Sequence, residues 1–179
     1  PTGAVGSYLM EVHLWLTRPL TVMLWGGVFT RFPQLKGAIT EGTSVWVPDY
    51  VERLEFHYRE SRESQKLGDF RGHLAESPAE TFRKNVKIGS SCMSRREAEL
   101  RHEIGVRNMT WGSDYPHPEG SWPVTRQQQI DSFHGLPADD VEAMLGGNAV
   151  EFYDLDVEKL NPIAARIGPK KGSFEETSR

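Results

Sequence analysis

The chain contains one cysteine, Cys92, among 179 residues, so no internal disulfide can form and nothing in it requires an oxidising compartment. It also lacks an excess of positive charge. Against 25 Asp and Glu stand 21 Lys and Arg, a formal charge of −4, whereas a nucleic-acid binder usually carries a basic face. No apolar run reaches the roughly 18–20 residues of a membrane span, and no signal-peptide pattern opens the chain. These absences predict a cytoplasmic protein that binds neither nucleic acid nor membrane. An initiator methionine is absent too: PTGAVGSYL leads almost directly into an apolar, aromatic-rich segment. Residue 1 is therefore not expected to be the natural start, and the chain is expected to be a fragment.

What is present suits a folded domain. The composition is 37% hydrophobic and 26% charged, ordinary for soluble proteins, and the length is enough to bury a core. From Tyr8 to Phe32 the apolar pattern predicts a short helix, a break at Pro19 and a helix from Arg18 to Thr30. A strand is expected over Leu35–Glu41. Val47, Tyr50, Val51, Leu54 and Tyr58 recur at helical spacing, with Pro48 tolerated in the first turn. Residues 60–72 are polar and aperiodic, which predicts a loop or a fraying helix end.

The alternation then repeats. Ser77 and Pro78 open a helix over SPAETFRKN, and NVKIGSS follows as a strand. Ser94 opens and Gly105 closes a helix over SRREAELRHEIG. VRNMTWGSD is the next strand, followed by helices over Thr125–Phe133, PADDVEAML and NAVEFYDL, the second ended by Gly146-Gly147. The region from Leu160 onward reads as a peripheral or disordered tail, giving a domain over 1–156 and a polar tail over 157–179. Strands alternating with helices imply an α/β fold with a parallel sheet. Three strands cannot close a barrel of eight, and alone they would leave open edges; half of a larger fold is the economical expectation.

The segment TWGSDYPHPEG concentrates chemistry at a strand exit. Asp114 and His117 lie three residues apart, and Pro116 and Pro118 restrict the backbone around them. Such a carboxylate and imidazole suit acid–base work; an Asp that stabilises a turn before Tyr-Pro has the same spelling.

GVFTRFPQLKGAITEG, WVPDYVERL, WGSDYPHPEGSWP and GLPADDVEAMLGGNAVEFYDLD together resemble the C-terminal half of the amidohydrolase-related family, from about residue 20 to residue 168. This metal-dependent TIM-barrel group includes aminocarboxymuconate-semialdehyde decarboxylase and other non-oxidative decarboxylases of aromatic acids. The resemblance implies the C-terminal part of a (β/α)8 barrel whose sixth, seventh and eighth strands are those visible here. The first strand, with its His-x-His metal ligands, and a further histidine strand would lie outside the chain. It also implies a divalent metal (Zn, Mn or Fe), a small carboxylated or cyclic substrate, and hydrolysis or non-oxidative decarboxylation.

By that resemblance Asp114 binds the metal or deprotonates the attacking water, and His117 is a second catalytic candidate, orienting a neighbour or touching substrate, or else an exposed loop histidine. Glu41 departs from the pattern. ITEGTS stands where the decarboxylases carry a histidine in a His-Gly-Gly-like turn, so Glu41 is either an oxygen ligand to the metal or a structural partner of an arginine. Trp46, Trp111 and Trp122 are pocket or core residues, and Arg53 and Arg126 are carboxylate binders or plain surface residues. His13, His57, His73, His102 and His134 carry no functional argument, and Cys92 is expected to be inert. The alternative to an enzyme is a metal-free barrel acting as a binding or structural protein. The apolar stretch Leu9–Phe32 adds the expectation of a homo-oligomer.

Overall fold

Three short parallel strands organise the chain: β1 (Gly37–Thr40), β2 (Val86–Ser91) and β3 (Met109–Gly112), paired in the order β1-β2-β3. The computed structural model describes residues 2–60, 67–170 and 172–174. Ile39, Ile88 and Met109 stand side by side across the sheet. Their face is the covered one, Ile88 and Met109 being almost fully buried. The intervening positions are small or polar and more open: Ala38 and Thr40 are exposed, Gly89 and Thr110 half-buried. Gly89 is wedged between neighbouring strands, where a Cβ would lie 3.1 Å from Thr40 Cγ2. Most parallel sheets are covered on both faces; this one is covered unequally.

Helices make the crossovers. Between β1 and β2 run α3 (Val47–Glu60) and α4 (Pro78–Asn85). Helix α3 buries Val47, Val51 and Leu54, the stripe that spacings of four and three produce. Helix α4 opens with a capping box: Ser77 Oγ accepts from Glu80 N at 3.2 Å and Glu80 Oε2 accepts from Ser77 N at 3.1 Å. Pro78 fills the first helical position, where its missing N–H costs nothing. Phe82, fully buried, carries that helix into the core. Between β2 and β3 run α5 (Arg95–Glu99) and α6 (Arg101–Ile104), a single predicted helix interrupted at Leu100. Gly105 ends it at φ 104, a conformation that disfavours a side chain.

Three sequence expectations differ from the structure. Pro19 does not divide the first helical region, because α1 runs unbroken from Ala4 to Trp25. The proline removes one backbone bond, but burial of Leu20 and Leu24 beyond it holds the second half in line. The break comes instead at Gly26-Gly27, where Gly27 takes φ 67 ahead of α2 (Val28–Arg31). Nor do Gly146 and Gly147 stop a helix. After α7 (Thr125–Phe133), α8 (Ala138–Glu142) continues through a π turn over Ala143–Gly147 into α9 (Asn148–Tyr153). Gly147 keeps helical angles, and Asn148, rather than capping, turns inward so that its Nδ2 donates to the Val106 and Met109 carbonyls, both at 2.7 Å. Thirdly, the region expected to be a loose tail begins with α10 (Val157–Ile167), capped by Asp156 Oδ1 on the Lys159 amide at 3.1 Å. It is helical and buries no residue. Of the polar stretch 60–72, residues 61–66 lie outside the described residues.

Among the described residues no helix is long and apolar enough to cross a membrane. Helix α1 does expose Tyr8, Leu9, Trp15 and Val22 on its outer side.

Candidate functional site

The C-terminal ends of the three strands share one concavity of about 670 Å³. Glu41 reaches it from the end of β1, Ser91 and Cys92 from the end of β2, and the Asp114–Glu119 turn from the end of β3. Parallel strands make this convergence automatic, since every strand exits on the same side.

The three exits have a common backbone signature. Glu41 (φ 59), Cys92 (φ 51) and Asp114 (φ 59) all adopt the left-handed conformation, which costs an ordinary L-residue roughly 1–2 kcal/mol. Asp tolerates it best of the three. Among the described residues only one other non-glycine does so, Asp154 (φ 51), where it ends α9. Strained side-chain-bearing residues persist where the surroundings hold them, and they gather at functional sites.

The turn after β3 is closed on itself. Ser113 O accepts from Ser121 N at 2.9 Å and Ser121 Oγ at 3.2 Å; Asp114 O accepts from His117 N at 2.8 Å, and His117 O from Gly120 N at 2.9 Å. At Gly120 a Cβ would meet the Asp114 and Ser113 carbonyl oxygens at 2.8 and 2.9 Å, so glycine is required for the chain to pass this close. The turn holds His117 Nδ1 at 3.3 Å from Asp114 Oδ2 and at 3.9 Å from Glu119 Oε2. Asp114 is mostly shielded, its side chain 22% exposed, while His117 is 57% exposed. The two residues singled out in the sequence are thus in contact, one partly enclosed and one facing solvent.

Two lining or supporting residues were not legible in the sequence. Cys92, read as inert, lies in the concavity, its thiol directed at the Ser113 carbonyl at 3.8 Å. The available signal was its place immediately after a strand, matching Glu41 and Asp114. Glu97 lies just behind the site, 4% exposed. Burial pushes its carboxyl upward, but hydrogen bonds from the Ser94 and Ser44 amides and the Ser94 hydroxyl outweigh this, leaving its pKa below the ordinary value. The Ser90 hydroxyl contributes without completing a hydrogen bond of normal geometry. The remaining candidates stand apart. Trp46 and Trp111 pack against the core, and Trp122 is exposed with its ring edge-on to Tyr115, centroids 6.4 Å apart. Arg53 pairs loosely with Asp49 at 3.8 Å and lines, with His13 and His57, a separate groove between α1 and α3. Arg126 is exposed on α7. His73 bonds the Trp25 carbonyl at 2.8 Å, His102 lies 3.5 Å from Asp140, and His134 bonds the Ile130 carbonyl at 3.1 Å.

Glu41 and Asp114 are hard oxygen donors of the kind that manganese, iron and zinc accept. Among the described residues no group of three or more His, Cys, Asp or Glu is arranged to hold a metal.

The amidohydrolase family profile matches residues 12–155. Over 140 residues the chain is 28% identical to the 2-amino-3-carboxymuconate-6-semialdehyde decarboxylase of Dictyostelium discoideum, covering 76% of this chain and 36% of that protein. The crystal structure of an amidohydrolase from Mycobacterium avium subsp. paratuberculosis superposes with a TM-score of 0.59 at 29% identity, covering 74% of this chain and 32% of the other. The 5-carboxyvanillate decarboxylase of Sphingomonas paucimobilis gives a TM-score of 0.59 at 25% identity, with 75% and 38% covered. The chain spans about a third of the length of the relatives it matches.

Proposed function

The chain belongs to the amidohydrolase family, and on that premise we propose that it is the C-terminal part of a (β/α)8-barrel enzyme using a divalent metal to decarboxylate or hydrolyse a small carboxylated or cyclic substrate. The observation that carries the proposal is the convergence of Glu41, Cys92 and Asp114, each left-handed, at the C-terminal ends of three successive parallel strands. Catalytic residues of TIM-barrel enzymes come from that end of different strands. The unequal covering of the sheet supports the barrel reading, because the small and polar positions Ala38, Thr40, Gly89 and Thr110 are those a barrel interior would receive. Both outer strands also present an edge to which another strand can pair.

In this reading Asp114, ionised, accepts a proton or ligates the metal, and His117 steadies its carboxylate through the 3.3 Å contact. Glu41 supplies a second oxygen donor. Zinc, manganese or iron, when bound, polarises an oxygen and acidifies water. A concavity of about 670 Å³ lies within the roughly 300–1,000 Å³ of small-molecule sites. Two relatives are named as decarboxylases, which favours decarboxylation over hydrolysis.

Elemental analysis of the full-length protein, before and after Glu41→Gln, tests the reading. Bound metal near one equivalent, falling in the variant, is expected. A wild-type protein without divalent metal, together with no carbon dioxide released from a panel of aromatic carboxylates, leaves a binding or structural barrel as the explanation. The exposed apolar residues of α1 support the homo-oligomer expected from the sequence, and a monomer by light scattering at micromolar concentration refutes it.

A further inference from the structure

Ser94 and Glu97 form a capping box at the start of α5: Glu97 Oε2 accepts from Ser94 N at 2.8 Å and from Ser94 Oγ at 2.9 Å, while Glu97 N reaches Ser94 Oγ at 3.3 Å. That motif uses one carboxylate oxygen. The other, Oε1, accepts from Ser44 N at 2.7 Å and Ser44 Oγ at 2.9 Å, 53 residues earlier in the chain. Ser44 is fully buried and lies three residues after Glu41; Ser94 lies two residues after Cys92. One buried carboxylate thus accepts four hydrogen bonds and ties the exit of β1 to the exit of β2.

We propose that Glu97 is a positioning residue of the site, clamping the Glu41 and Cys92 loops at a fixed separation so that the left-handed Glu41 is held toward the concavity. The proposal rests on the reading that this concavity is the active site. Glu41 is exposed and unfavourable in its conformation, so its own contacts do not hold it there. A residue in such a state persists only where its surroundings over-determine it; the ladder holds Thr40 on one side, and the Ser44 anchor three residues on holds the loop on the other. Charge matters as well as shape. All four contacts are donors, and only an ionised carboxylate accepts on both sides. Glutamine would aim an NH₂ at the N–H and O–H of either Ser44 or Ser94 and release that loop. Its capping-box bonds alone give Glu97 an ordinary structural role; the Ser44 contacts are what extend that role to the site.

The test compares full-length wild type with Glu97→Gln, Ser44→Ala and, as a control, Ser77→Ala, which breaks the other capping box at a distance from the site. Mn²⁺ affinity is measured by titration calorimetry, and amide exchange is followed over residues 41–45 and 92–94. Glu97→Gln is expected to weaken Mn²⁺ binding by about 10–100-fold, the usual scale for partners that orient ligands, and to speed exchange in both segments. Ser44→Ala, which leaves the Ser94 box intact and so protects folding, should weaken binding less and speed exchange mainly over 41–45. Ser77→Ala should change neither. Wild-type Mn²⁺ affinity and unchanged exchange in Glu97→Gln or Ser44→Ala would overturn the clamp, as would equal weakening in Ser77→Ala. If the wild type itself binds no Mn²⁺, the metal reading fails separately, and exchange at 41–45 alone decides the clamp.

Discussion

The two capping boxes flank the same strand and share the spelling Ser-x-x-Glu, yet the protein uses them differently. The box before β2, Ser77 with Glu80, satisfies the first turn of α4 and uses its glutamate locally. The box after β2, Ser94 with Glu97, makes the same local bonds and then spends its spare oxygen on Ser44. The first opens α4, an eight-residue helix ahead of the strand; the second follows the strand, at the end where the concavity opens. A local motif therefore secures a helix in each case, and the second box also reaches the exit loop of β1. Barrel folds divide the labour similarly, with stability residues at the N-terminal face and catalytic ones at the C-terminal face.

That contrast is most exposed to refutation at Asp114. Asp114→Asn in the full-length protein should lower turnover by about two to four orders of magnitude, the scale for losing a general base, while leaving thermal stability nearly unchanged. Asparagine has the same size and tolerates the left-handed backbone at φ 59. Unaltered turnover of a substrate found by screening would detach this turn from catalysis, and a large loss of stability would make it scaffold. The opposite end should behave in reverse: Ser77→Ala should cost about 1 kcal/mol in denaturant unfolding with turnover unchanged. A catalytic defect there would erase the division between the two ends.

The smallest expected effect is a pH dependence carried by Glu97. Glu97 titrates below its ordinary value of about 4.5 because of its amide and hydroxyl donors. A carboxyl depressed by folding stabilises the protein above its unfolded pKa, and that contribution is lost as pH falls through the folded value. Thermal midpoints recorded downward from pH 6 should therefore fall more steeply below about 4.5 in wild type than in Glu97→Gln. Parallel curves for the two proteins would show that the buried carboxylate carries no such linkage.

Much of this was legible in the sequence because it is encoded locally. The Ser77 and Ser94 caps, the buried stripe of α3 and the Pro-bounded turn after Asp114 rest on residues within a few positions of one another. Asp114 and His117 could be paired on spacing alone, and they are in contact. Where the reading failed, distant packing had outweighed a local rule. Pro19 is overruled by the burial of Leu20 and Leu24, and the Gly146-Gly147 stop by Asn148 drawn onto β3. The Leu160 region is a different case: read as a polar tail, it begins with a helix that Asp156 caps locally and that buries no residue.

The sequence by itself determined most of the segments that become strands and helices, how α4 and α5 begin, and that a carboxylate leaves β3 beside a histidine. Capping, periodicity and turn chemistry act over one or two turns of chain, so they are fixed wherever those residues occur. Only the tertiary structure decided that Glu41, Cys92 and Asp114 share one concavity and that Glu97 reaches Ser44. Those relations depend on the order and register of strands distant in sequence, and a carboxylate with a free oxygen gives no local sign of which loop will arrive to meet it.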